Sequence, residues 1–238
     1  MLKQALFIIW KNLVFYIVLM VCLVGLLIFS EYAGSATLLL LSILAGNVQN
    51  SVFRSENFIA AAKTRMLPLG RHLIRSIGVI LVVLLISAPP IVYFHAEYGA
   101  SKVFFQILAG LTFVSSLTIV LLLVGTWLPA GLYGTNMSLR HAFRRGWSQP
   151  FSAVLRIVLG MAVPFVWLFA SVWAMFTINR QHLIARSSSH TMVVITSIVF
   201  DLLVVIGCTY ISVVLARRYM EAEHIEPPPR DRLLAIFA

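Results

Sequence analysis

Apolar residues in this chain fall into long unbroken runs separated by short polar joints, with no alternation of the kind a half-buried strand shows. A helix needs about 20 apolar residues to cross a bilayer and satisfies its own backbone there, so each run reads as a spanning helix. Six qualify: Leu13–Phe29, Ser35–Val52, His72–Tyr93, Val103–Leu132, Phe151–Phe176 and Thr191–Ala216. The second is the shortest in apolar core, because Asn47, Gln49 and Asn50 interrupt its end. The pattern predicts an all-α polytopic membrane protein, with a single membrane domain over residues 1–220 and a tail over 221–238.

Alternating the sides of these runs sorts the basic residues. Fifteen of the 18 Lys and Arg fall on the side of the amino terminus, and only Lys102, Arg180 and Arg186 fall on the other. That asymmetry is what the positive-inside rule expects, and removing the second run would invert every later joint and destroy it. Both termini are therefore expected in the cytoplasm and the protein in a plasma (inner) membrane. Composition agrees: 61% of residues are hydrophobic and 11% charged, against about 25% charged in a soluble domain. The net charge of +10 then points to anionic headgroups at the membrane surface, and not to nucleic acid. Cys22 and Cys208 sit inside apolar runs as packing residues, without metal-type spacing.

Two basic amphipathic stretches precede spans, Glu56 to Leu69 and Ser138 to Pro150. Displacing the first by 82 residues aligns Pro68 with Pro150, Lys63 with Arg145 and Gly78 with Gly160. The amino terminus, Leu2 to Asn12, reads as a third copy, with Ala5 and Trp10 matching Ala142 and Trp147 at a displacement of 137. The chain thus reads as three helical hairpins, each entered through a basic surface helix. Such helices lie in the headgroup plane, which makes Lys63, Arg65, Arg140, Arg144, Arg145 and Trp147 candidate lipid or partner contacts. Arg156, two turns into the fifth span, reaches phosphates by snorkelling. The stretch Ser138-Leu139-Arg140-His141-Ala142-Phe143-Arg144-Arg145-Gly146-Trp147 followed by an apolar span resembles small bacterial membrane proteins of the YesL type. It is also similar to the membrane domain of some glycerophosphodiester phosphodiesterases. The resemblance implies a helical membrane domain of accessory role and transfers no functional residue.

Inside the spans, Asp201 stands out, since a charge at the centre of a bilayer costs about 2.5–3.5 kcal/mol on insertion scales. It reads either as a proton or cation site or as a neutral carboxyl joining helices through Ser116, Thr118 or Ser197. Pro164 removes the hydrogen bond that would occupy the Gly160 carbonyl, and helix rise puts Pro164 about 20 Å and Asp201 about 24 Å deep. Asp201, Gly160 and Pro164 therefore form the candidate proton or cation site. Asn47, Gln49 and Asn50 read as a span end already in water, or as the lining of a cytoplasmic mouth. Ser42 and Gly46 are a small-xxx-small pair that favours close helix approach.

His182 and His190 share a joint with Arg180 and Arg186 and lack zinc-site spacing, so no metal and no cofactor is expected. Nucleophile-elbow, phosphate-loop and dinucleotide motifs are missing as well. The expected function is a non-enzymatic accessory or scaffold membrane protein, meeting anionic lipid or a larger membrane complex through its basic helices. The competing expectation is a small proton- or cation-coupled transporter built on Asp201.

Overall fold

The computed structural model describes residues 1–29, 33–54, 56–60, 69–98, 102–133, 138–148, 150–180 and 186–225. These residues are helical almost throughout, and no strand occurs among them. The helices are α1 (Leu2–Lys11), α2 (Leu13–Phe29), α3 (Ala33–Arg54), α4 (Leu69–Tyr98), α5 (Lys102–Val124), α6 (Trp127–Tyr133), α7 (Leu139–Ser148), α8 (Pro150–Arg180) and α9 (Arg186–Ala222).

Among the described residues, four stretches are long and apolar enough to cross a membrane by themselves: Ala36–Arg54, Gly70–Tyr93, Phe151–Ser171 and Val194–Ala222. Two bent pairs raise the number to six if each is one span: Leu2–Lys11 with Leu13–Leu27, bent by 84°, and Leu108–Val124 with Trp127–Tyr133, bent by 48°. This is the architecture of a polytopic helical membrane protein. Large apolar side chains such as Val14, Val21, Leu85, Val166 and Ile195 remain exposed on the outside of the bundle, the reverse of a soluble core and the expected face toward acyl chains.

Each bend has a local cause. At the first, the Asn12 side-chain amide donates to the Ile8 carbonyl (2.9 Å), and its oxygen accepts from the Phe58 backbone N–H (3.1 Å). One buried side chain thus closes the end of α1 and anchors the segment that follows α3. At the second, the expected single span Val103–Leu132 is broken at Gly125–Thr126, where the Leu128 N–H bonds to Gly125 rather than continuing the α-helical ladder. A Cβ on Gly125 would overlap the Leu121 carbonyl, so only glycine fits this turn.

The core has two parts. One joins α1, α2, α3 and α9 around Tyr16, Leu23, Leu44, Val48 and Val213, with the Tyr16 hydroxyl 2.9 Å from the Thr209 hydroxyl. The other joins α4, α5, α8 and α9 around Val83, Val120, Ile157 and Leu215. α9 belongs to both and packs on α3 and α8.

The α8–α9 crossing is made by two glycines. A Cβ on Gly207 would overlap the Gly160 carbonyl, and one on Gly160 would lie 2.7 Å from Ile211 Cγ1 and 2.9 Å from Tyr210 Cδ1. Without side chains the two helices meet backbone against backbone.

Candidate functional site

α7 lies against the broken end of α5. Its inner face is Ala142 and Gly146, both buried. A Cβ on Gly146 would stand 2.6 Å from the Leu123 carbonyl oxygen, so α7 rests directly on carbonyls near the end of α5, and a larger residue would lift it off. Arg218 of α9 donates to the Gly146 carbonyl (3.2 Å). Arg145 pairs with Glu223 and lies over the Tyr219 ring, 5.5 Å from its centroid. Desolvation holds the Arg145 pKa below the usual arginine value, yet the guanidinium stays charged at physiological pH. α9 ends so as to present Glu223: His224 takes a left-handed φ of 52°, and the Ile225 N–H bonds back to Met220 (2.9 Å) in a Schellman-type closure.

The outer face of α7 is different. Leu139, Phe143 and Trp147 recur at helical spacing and all project outward, interleaved with exposed Arg140 and Arg144. Arg140, His141, Phe143, Arg144 and Trp147 line a shallow open depression of about 740 Å³. Of the expected contact residues, Arg140, Arg144 and Trp147 thus share one outward face, whereas Arg145 is turned inward to Glu223. Arg156 is half-buried on α8, near Arg218. Lys63 and Arg65 lie outside the described residues.

Asp201, Gly160 and Pro164 are not brought together as expected. The Gly160 carbonyl freed by Pro164 abuts Gly207, six residues further along α9 than Asp201. Asp201 lies between that crossing and the contact of the Trp167 indole N–H with the Thr196 carbonyl (3.4 Å). It is half-buried and forms no hydrogen bond or ion pair with another described residue. The Thr118 hydroxyl points instead to the Met161 sulfur, at 3.9 Å.

The polar cluster of α3 is where the sequence reading fell short. Gln49 is 0% and Asn50 6% exposed, so this end of the span faces protein and not water. Ser42, Gly46, Gln49 and Phe53 form one helical stripe. Gly46 receives the His72 ring of α4, which would lie 3.0 Å from a Cβ there. Phe53 packs edge-on against Tyr133 of α6 and Tyr219 of α9, with centroids at 5.5 and 5.7 Å. Gln49, between them on the stripe, therefore enters the junction of α3, α4, α6 and α9. His72, read as the first residue of an apolar run, is wholly buried here. No sequence signal singled it out beyond its standing one turn before Arg75.

Arg75 binds α6. It donates to the Trp127 carbonyl (2.8 Å), stacks over the Trp127 ring at 4.9 Å and lies against Gly131, where a Cβ would be 2.9 Å from Nη1. Among the described residues no group of three or more His, Cys, Asp or Glu could hold a metal ion.

No protein-family model, curated protein or solved structure matches the chain.

Proposed function

We propose that the chain is a non-enzymatic accessory or scaffold protein of a plasma (inner) membrane, which engages anionic lipid headgroups through its basic surface helices. The observation that carries this is the outward face of α7, where an exposed apolar stripe is flanked by two exposed guanidiniums, the pattern of a helix that can lie at an anionic membrane surface. In this reading the chain crosses the membrane six times, each bent pair being one span, with both termini on the basic side.

α1 supports the same reading. Ala5 is buried like Ala142, while Leu2, Leu6 and Trp10 are exposed like Leu139, Phe143 and Trp147, each 137 residues further on. Trp10 and Trp147, at 76% and 66% exposed, serve as interfacial anchors in this reading. α1 packs on α9 and α7 on α5, in each case on the second helix of the preceding hairpin if the three hairpins close in a ring. A transporter built on Asp201 is the weaker reading, because the Gly160 carbonyl is covered by Gly207 and no second polar group of the described residues meets the acid.

The test is lipid analysis of the protein extracted with its surrounding bilayer. Arg140→Gln with Arg144→Gln is expected to lower the enrichment of anionic over zwitterionic lipid several-fold, since each basic residue near the surface is worth about 1 kcal/mol. Unchanged enrichment would remove lipid as the occupant of this face. A co-purifying membrane complex lost on the same substitutions would put a protein there instead.

A further inference from the structure

Three polar side chains at the α3–α4–α6–α9 junction have no hydrogen-bond partner among the described residues although they are fully enclosed. They are Gln49 through both amide atoms, His72 through both ring nitrogens and Thr126 through its hydroxyl, at 0%, 0% and 1% exposure. A buried polar group left without a partner costs about 1–3 kcal/mol, and three in one place are unlike the rest of this bundle. Their placement is convergent. His72 rests on Gly46, with the backbone carbonyls of Ser42 on α3 and Leu128 on α6 facing its ring. Gln49 is one turn from Gly46 on the same stripe, and Thr126 is two residues before Leu128.

The junction is also positive. Arg75, on the same helix as His72, forms no ion pair with a described carboxylate, and the charged or titratable groups that influence it are Arg71 and Tyr219. Arg218, next to Tyr219 in sequence, is buried and keeps Nη1 without a partner among the described residues, with the Glu221 carboxylate acting on it from the same helix. A cation would be repelled by the half-buried Arg75 guanidinium, and a water molecule would satisfy the dipoles without offsetting that charge. A lipid phosphate is too large for a site closed to solvent on every side.

We propose that this junction binds a small monovalent inorganic anion of halide size, held by the Gln49 amide N–H, the Thr126 hydroxyl and one His72 ring N–H, in the field of Arg75. Each of the three offers one donor, neutral His72 through a single ring N–H, and the anion compensates the Arg75 charge, which no described carboxylate balances. Through Gln49 and Thr126 it ties α3 to the turn between α5 and α6, and so fastens the broken end of α5 to the bundle.

The experiment is thermal unfolding of the purified full chain in detergent at constant ionic strength, with potassium gluconate replaced by potassium chloride or bromide. Halide is expected to raise the midpoint by about 3 °C or more at saturation. The shift is expected to vanish in Gln49→Leu and in Thr126→Val. Equal midpoints in all three salts, or an undiminished shift in both variants, would overturn the proposal and leave internal water as the partner of these groups. If neither variant folds, the chloride-35 resonance of the native protein decides: a line broadened by the protein and narrowed by excess bromide supports the site, and an unbroadened line overturns it.

Discussion

Two helix crossings in this protein use glycine to opposite ends. At Gly160 and Gly207 the absence of side chains brings α8 and α9 into backbone contact, and the carbonyl left over from Pro164 is covered. At Gly46 the same absence admits the ring of His72 from α4, and near it Gln49 and Thr126 have no partner among the described residues. A small residue thus guarantees room on one helix and nothing more. Whether the room becomes dry packing or a polar chamber depends on what the opposite helix carries at that level.

The sharpest way to break the first crossing is Gly207→Ala. The added methyl meets a backbone oxygen, which cannot swing aside, so the helices must separate. Destabilisation of about 3 kcal/mol is expected even after the gain in helix propensity, read as a lower thermal midpoint and a loss of folded protein in size-exclusion chromatography. A midpoint at or above that of the native chain would show that α8 and α9 do not meet as described.

Gly46→Ala tests the second crossing and should cost less, about 1 kcal/mol, because the methyl meets a side chain at 3.0 Å. In a His72→Ala background the same change should turn stabilising by about 0.5–1 kcal/mol, as expected for alanine over glycine in an unobstructed helix. The coupling between the two sites, measured by a double-mutant cycle in thermal unfolding, is the check. Additive effects would mean that the ring does not occupy the space over Gly46.

Ser42→Ala should do least, within about 0.5 kcal/mol. The Ser42 hydroxyl bonds to the Leu38 carbonyl of its own helix at 2.8 Å, and only the Ser42 main chain faces His72. A larger loss in the same assay would mean that the hydroxyl itself serves the junction.

Much of the helical layout could be read from the residues. The run Leu13–Phe29 is reproduced residue for residue as α2, and α3, α4, α8 and α9 each contain an expected run and extend beyond it at both ends, α8 by a single residue at its start. The fourth run reads as one helix, because Gly125 and Thr126 do not lower hydropathy enough to mark a break whose close turn only glycine permits. The outward face of α7 was legible through its charge, but Arg145 was grouped with its neighbours. Its turn inward depends on Glu223, 78 residues away in sequence. Gln49 and Asn50 read as wet in the sequence because they are polar and close to a span end. His72 gives no signal there because one polar residue scarcely alters the mean of an apolar window.

Sequence alone determined that the chain is helical, that most of its helices suit hydrocarbon and that its cations gather at the joints. Those properties depend on the transfer energy of each residue and on spacing along a single helix, both of which are local. Only the tertiary structure decided which glycine faces backbone and which faces imidazole, which arginine turns outward and which polar groups end without partners. Each of those outcomes is a pairing between residues distant in the chain, and its energy exists only once the helices are in contact.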